Sequence, residues 1–263
     1  MREERKIETI RSSNHIVLHN QGDSMPTLFL HGFTGTGDSW KGIVSKLNRF
    51  CIAPDIVGHG KSLFNDVDRD YDIDDWCDDA SLESNPYGFA KAEGEKRMRA
   101  WAESKDVRLI TIHPSIVFGP ILHPKHIDGS MSYLKHFAKG PPFVLDLHIN
   151  FVDVRDVALA HVNALEKGEN KRRYLTHTSD MWMKDIGLVL KKRIKGRWAT
   201  KKLPKILAYI VAIFHPKLSI KQLKGYLGSK VSFDVGDTWD ALEIKTHNPE
   251  DTIVESIESI LHR

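Results

Sequence analysis

Tyr87 and Lys91 stand four residues apart in Tyr87-Gly88-Phe89-Ala90-Lys91, a spacing that puts a phenol and an ammonium on one face of a helix. A phenol with a pKa near ~10 carries protons poorly at neutral pH, and an adjacent cation favours its phenolate and moves its working range toward neutrality. The pair can do general acid–base chemistry, and the ammonium can also hold a sugar hydroxyl. A second run, His31-Gly32-Phe33-Thr34-Gly35-Thr36-Gly37-Asp38-Ser39-Trp40, sits where a strand should hand over to a helix. Gly32, Gly35 and Gly37 allow close backbone approach to a pyrophosphate facing helix N–H groups, and Asp55 follows 20 residues past Gly35. The third position of a G-x-x-G-x-x-G series begun at Gly32 is Asp38, which would set a negative charge beside the phosphates.

The elements that must position these groups alternate. Ile7–Ile10 and His15–Leu18 read as a short hairpin, and Thr27–Leu30 as a buried strand. A helix over 39–48 then carries Trp40, Ile43, Val44 and Leu47 at helical spacing, and Cys51–Ile56 is the next strand. Asn85 and Pro86 read as N-cap and first residue of a helix running to about Ser104, ahead of a strand over Val107–Ile112. This alternation predicts an α/β fold, a doubly wound and mostly parallel sheet with ligands at the carboxyl ends of its strands, followed by a smaller helical C-terminal region.

Composition narrows the function classes. The chain has 263 residues, 41% hydrophobic and 28% charged, which excludes disordered and collagen-like readings. A net charge of +3 gives no argument for a nucleic-acid partner, and no aromatic-basic interleaving supports one. The nine-residue run Ile206–Phe214 is about half of what a membrane span needs. Met1–Lys6 is charged with no apolar stretch behind it, so no signal peptide is expected. The two cysteines, Cys51 and Cys77, suit a reducing, cytoplasmic compartment. Among the histidines, His123 and His126 with Asp128 come closest to a metal site but lack a third ligand at metal spacing, so no metal is predicted.

Charge is strongly segregated. Nine carboxylates face one base, Arg69, between Asp66 and Glu83, which reads as a solvated linker. From Ile186 to Phe233 there are twelve bases and no acid. That stretch is either a site for phosphate-bearing ligands or an acidic surface, or a solvated helical hairpin with Ile206–Phe214 buried beneath it.

Two resemblances emerge from these motifs. Leu28–Trp40 together with Pro54–Ser62 resemble the start of an α/β-hydrolase, in particular the menaquinone-pathway lyase that makes 2-succinyl-6-hydroxy-2,4-cyclohexadiene-1-carboxylate. That resemblance implies an oxyanion turn at His31-Gly32-Phe33, with the Phe33 backbone N–H as donor. Yet Gly22-Asp23-Ser24, Gly37-Asp38-Ser39 and Gly60-Lys61-Ser62 all lack the second glycine of a nucleophile elbow.

From about Tyr71 onward the chain resembles the extended short-chain dehydrogenase/reductases, in the dihydroflavonol-reductase and cinnamoyl-CoA-reductase-like branch of the NAD-dependent epimerase/dehydratase superfamily. The matching stretches are Asp75-Trp76, Ser84-Asn85-Pro86-Tyr87 leading into Lys91, His113–Pro120, and Asn150–Ala158 with Ala160-His161. This resemblance implies an NAD- or NADP-dependent oxidoreductase acting on a small-molecule ketone or aldehyde. Tyr87 would be the acid–base, Lys91 would lower its pKa and touch the nicotinamide ribose, and Pro114, Ser115, Ile116 and Val117 would lie beside the nicotinamide. Phe151–Val157 would lead a supporting helix, and the region from Met183 would help build the substrate domain. The family's catalytic Ser or Thr, about 35 residues before the tyrosine, falls here on Ile52.

The expected organisation is therefore a hydrolase-like β-α-β unit over 1–65, an acidic linker over 66–84 and a reductase catalytic helix with substrate region over 85–263. A hydrolase or lyase, and a non-catalytic composite or interaction protein, stand as alternatives. Oligomeric state is left open.

Overall fold

The computed structural model describes residues 2–8, 12–19, 27–29, 37–54, 63–64, 86–121, 126–127, 129–214 and 226–262. It divides into two compact units, Met1–Lys96 and Arg97–Arg263.

The first unit is built on β1 (Arg2–Glu8), β2 (Ser12–His19), β3 (Thr27–Leu28), the helix α1 (Lys41–Val44), β4 (Cys51–Pro54) and β5 (Leu63–Phe64). The expected hairpin is present and longer than the apolar pattern suggested: β1 pairs antiparallel with β2 from Arg2↔His19 to Glu8↔Ser13. Strand order is β1-β2-β4-β3, with β5 on β2, and β3/β4 is the parallel pair. Leu18, Phe29, Val44, Cys51 and Ala53 are buried, and the Phe29 and Trp40 rings meet at 5.3 Å. The helix expected over 39–48 is shorter. A single 3-10 turn, Gly37–Trp40, leads into α1, which ends at Val44.

Bridging the unit boundary, α2 runs from Pro86 to Ser104, as the Asn85-Pro86 signal predicts; Pro86 at the first position loses no helical hydrogen bond. In the second unit follow β6 (Thr111–Pro114), β7 (Ile116–Phe118), α3 (Ser132–Ala138), β8 (His148–Asp153) and α4 (Val154–Lys167). Then come β9 (Arg173–Thr176), β10 (Ser179–Trp182), α5 (Met183–Arg193), α6 (Lys205–Phe214), α7 (Thr238–Ala241) and α8 (Pro249–Leu261).

Strand β6 starts later than Val107. Residues 107–110 instead close helix ends: Val107 N donates to the Ala102 carbonyl, and Arg108 donates to the carbonyls of Ala164 and Leu165 at 3.0 and 2.8 Å. Similarly, Phe151–Asp153 stay in β8, and α4 begins only at Val154. Asp153 is its N-cap, with its carboxylate accepting from Arg155 N at 2.8 Å.

Within this unit β6 pairs parallel with β9, while β7, β8 and β10 form a separate sheet in which β7/β8 is parallel and β8/β10 antiparallel. The inner face of that sheet carries Ile149 and Phe151 onto Leu134 and Phe137 of α3, Ile186 and Leu190 of α5, and Ile253 and Ile257 of α8. Fully burying one such side chain is worth about 1.5–3 kcal/mol. Close packing here depends on Gly187, since a Cβ there would lie 1.8 Å from the Ala199 carbonyl oxygen. A second cluster joins Tyr174 of β9 to Ala160 and Ala164 of α4 and to Leu242 and Ile244. Trp198 packs against the first cluster and Trp239 against the second.

Candidate active site

The two halves of the expected site occupy two different settings. Positions 87 and 91 lie one turn apart at the start of α2, with Lys91 exposed. They belong to the first unit, and Pro114–Val117 to the second.

Pro114–Val117 form a crossover between sheets. Pro114 ends β6 opposite Thr176 of β9, Ser115 N donates to the Thr176 carbonyl at 3.0 Å, and Ile116 opens β7 opposite Phe151 of β8. The chain thus leaves one sheet and enters another within two residues, at the carboxyl end of a parallel strand pair, where α/β folds place their ligands. Pro114 is exposed; Ser115, Ile116 and Val117 are half-buried. Gly119 closes the crossover with φ +140°, and a Cβ there would stand 2.5 Å from Val154 Cγ1, so the position needs glycine on both conformational and steric grounds.

The structure adds residues to this region that motif reading missed. His177, just past β9, is buried, with Nδ1 3.4 Å from Ser115 Oγ and its ring edge-on to Phe233 at 5.4 Å. Burial pushes its pKa down, as does the nearby His148, while Asp180 pulls the other way. On the outer face of β8 and β10, His148 Nε2 lies 2.8 Å from Asp180 Oδ2, and Lys230 Nζ 3.5 Å from the same oxygen. The only available signal was Thr176-His177-Thr178, a polar triplet at a strand end, and it carries no spacing rule.

Below the crossover a buried polar network anchors β8 and α4. Burial alone would raise the Asp153 carboxyl, but hydrogen bonds from Arg155 and Thr252 hold it below the usual carboxylate range. Asp156, fully buried, accepts from His247 N at 3.0 Å and lies 2.6 Å from His247 Nδ1. These contacts tie α8 to the strand that flanks the crossover.

Gly32, Phe33 and Gly35 lie outside the described residues, and Gly37 opens the 3-10 turn. Ile52, at the position of the family's hydroxyl donor, is a half-buried residue within β4. His126 is exposed, His123 and Asp128 lie outside the described residues, and among the described residues no group of three His, Cys, Asp or Glu side chains could hold a metal ion. No helix among the described residues is long and apolar enough to cross a membrane.

Residues at the crossover fit the nicotinamide end of a dinucleotide. Beside Ser115, the hydroxyls of Thr176 and Thr178 are buried without a partner among the described residues, at the carboxyl end of β9. A buried hydroxyl left unpaired is costly, and the amide of a nicotinamide offers both donors and an acceptor.

Residues 62–175 match the model of the NAD dependent epimerase/dehydratase family, a stretch that contains α2, the crossover, β8 and α4. The chain is 35% identical over 112 residues to tetraketide alpha-pyrone reductase 2 of Arabidopsis thaliana, covering 40% of this chain and 33% of that protein. It is 31% identical over 138 residues to cinnamoyl-CoA reductase 1 of the same plant, covering 50% of this chain and 40% of the relative. The chain therefore spans about a third to two-fifths of the length of these relatives. Yeast methylglyoxal/isovaleraldehyde reductase Gre2, solved with NADPH, superposes with a TM-score of 0.54 at 22% identity, over 70% of this chain and 55% of that one. The family match begins at residue 62, and these proteins are reductases, so the hydrolase resemblance of the first residues gains no support from them. Residues 62–175 carry the family's match, and the fold around them is the α/β fold of the NADPH-bound reductases.

Proposed function

We propose that the protein is an NAD(P)-dependent oxidoreductase that reduces the carbonyl of a small molecule, with Tyr87 as proton donor and Lys91 as its activating cation. The observation that carries this reading is α2: it puts positions 87 and 91 one turn apart inside the stretch that matches the epimerase/dehydratase family. NADPH binding by the structurally similar Gre2 supports the cofactor.

A bound nicotinamide cofactor would supply a hydride to the carbonyl carbon. Tyr87 gives its phenolic proton to the carbonyl oxygen and regains one from solvent, so the carbonyl π bond becomes one C–H and one O–H bond. Lys91 favours the phenolate left behind, lowering the barrier to proton release. Pro114–Val117 would hold the nicotinamide end of that cofactor, where the half-buried Ser115 and the buried His177 would restrict water. No hydroxyl stands at position 52, so stabilisation of the carbonyl oxygen falls on Tyr87 itself.

The test is titration of the purified chain with NADPH, followed by isovaleraldehyde reduction in its presence. Tyr87→Phe is expected to lower turnover by about 100-fold or more while leaving the NADPH dissociation constant nearly unchanged. Absence of saturable NADPH binding would overturn the reading.

A further inference from the structure

One surface feature is unused by this chemistry. Ile206, Ile210 and Ile213 of α6 recur at i, i+4 and i+7 and are 75%, 46% and 64% exposed, with Leu207 beside them at 47%. The opposite side is the packed one: Ala208 is fully buried and joins Leu227, Leu145 and Leu147. The helix is apolar on both sides and covered on one. This differs from the expectation that Ile206–Phe214 lie buried beneath a basic hairpin.

The charge of the chain that flanks α6 in sequence selects its partner. The twelve bases and no acid of residues 186–233 contain α6. Three of those bases are neutralised within the fold: Arg193 by Glu250 and Asp251, Lys202 by Asp146, and Lys230 by Asp180. Lys191, Lys192, Lys195, Arg197, Lys201 and Lys205 are exposed and form no ion pair with a described carboxylate. A second copy docking through the same face would bring like charges together. A protein partner would be met by Tyr, Trp and Arg anchors, whereas lysine is depleted at such interfaces and the stripe is aliphatic. An exposed aliphatic helix side within a lysine-rich, acid-free stretch is what an anionic bilayer binds: the side chains enter the headgroup boundary and lysines near the surface add electrostatic attraction.

We infer that α6 is a peripheral docking helix for an anionic lipid surface, lying in the interface plane through Ile206, Leu207, Ile210 and Ile213. The inference is independent of the reductase reading, because neither Tyr87 nor the crossover takes part.

Flotation of the intact chain with vesicles tests it, using phosphatidylcholine alone and phosphatidylcholine with about one-third phosphatidylserine. Binding is expected to the anionic vesicles only, and to fall when salt is raised to about 1 M. Ile206→Gln combined with Ile210→Gln and Ile213→Gln should lower the partition coefficient by about tenfold or more. Lys201→Glu with Lys205→Glu should lower it by about 30-fold. Circular dichroism checks that each variant is folded, and Ile206→Gln alone, at the most exposed position, serves if the triple variant is not. Equal binding to neutral vesicles, no binding to anionic ones, or binding that survives both sets of substitutions overturns the inference. So does concentration-dependent self-association that the isoleucine variants abolish without any vesicle binding, which would assign the stripe to a second copy.

Discussion

The two units are held together by different means. In the first, the described structure rests on backbone ladders: the seven-residue β1/β2 register, the β2/β4 pairing and the short parallel β3/β4 pair, over a small core of Leu18, Phe29, Val44, Cys51 and Ala53. In the second, buried side chains reach across long stretches of sequence. Thr252 donates to Asp153, His247 meets Asp156, and Ile121 N donates to Ser259 Oγ across 138 residues. A ladder tolerates many side chains so long as backbone pairing persists. A buried polar network depends on each partner, because a lone buried charge is far more costly than a missing one.

Substitutions at single positions sharpen that contrast. The largest expected effect is His247→Ala, which removes the imidazole paired with the fully buried Asp156 carboxylate and leaves that carboxylate without its side-chain partner. A loss of about 3–5 kcal/mol is expected by urea unfolding, with faster hydrogen exchange in β8, α4 and α8 and unchanged exchange in β1 and β2. If exchange rises equally in the β1/β2 ladder, the two units do not unfold separately and the contrast fails. Leu18→Ala is the converse, expected to cost about 3 kcal/mol with exchange raised in β1, β2 and β4 only. Gly119→Ala sets a Cβ against Val154 in a backbone conformation that disfavours it, and about 2 kcal/mol of stability should be lost from the second unit.

Acid supplies a milder probe. His161 and His177 both titrate below the ordinary imidazole value, in each case chiefly because burial disfavours the charged ring. The unfolded chain then binds more protons than the folded one as pH falls from about 7, so stability drops through that window and levels off below the folded values. Asp153, held low, adds its own loss only at more acidic pH, below about 4. The melting temperature of the second unit should therefore be lower at pH 5 than at pH 7, and His161→Gln should flatten the difference. The smallest expected change is Asn248→Ala, which removes the cap accepting from Glu250 N and Asp251 N and should cost about 1 kcal/mol.

How much was legible in the sequence differs between elements for physical reasons. The start of α2 was readable from Asn85-Pro86, because Pro86 at the first helical position is a local device complete within one turn. The stretches His113–Pro120 and Asn150–Ala158 were readable as motifs, and they pair as β7 and β8, yet the helical start at Val154 was misplaced toward Phe151. Asp153 acts as both strand end and cap, and an apolar run does not say where a strand yields to a helix. Residues 107–110 were read as strand from their apolar content and serve instead as helix-closing loop. The hydrogen bonds of Arg108 and Leu109 go to partners about 60 residues away, which no window of sequence contains.

The sequence by itself determined the one-turn spacing of Tyr87 and Lys91, the alternation of strands and helices, and the segregation of acid and base, since each depends only on neighbours along the chain. Tertiary structure alone decided that Pro114–Ser115 steps from one sheet to another, that His177 and Asp156 are buried, and that the isoleucine stripe of α6 faces outward. Burial and register are set by which surfaces remain after distant segments have paired, and hydrophobicity read along the chain gives the amount of apolar surface without saying what will cover it.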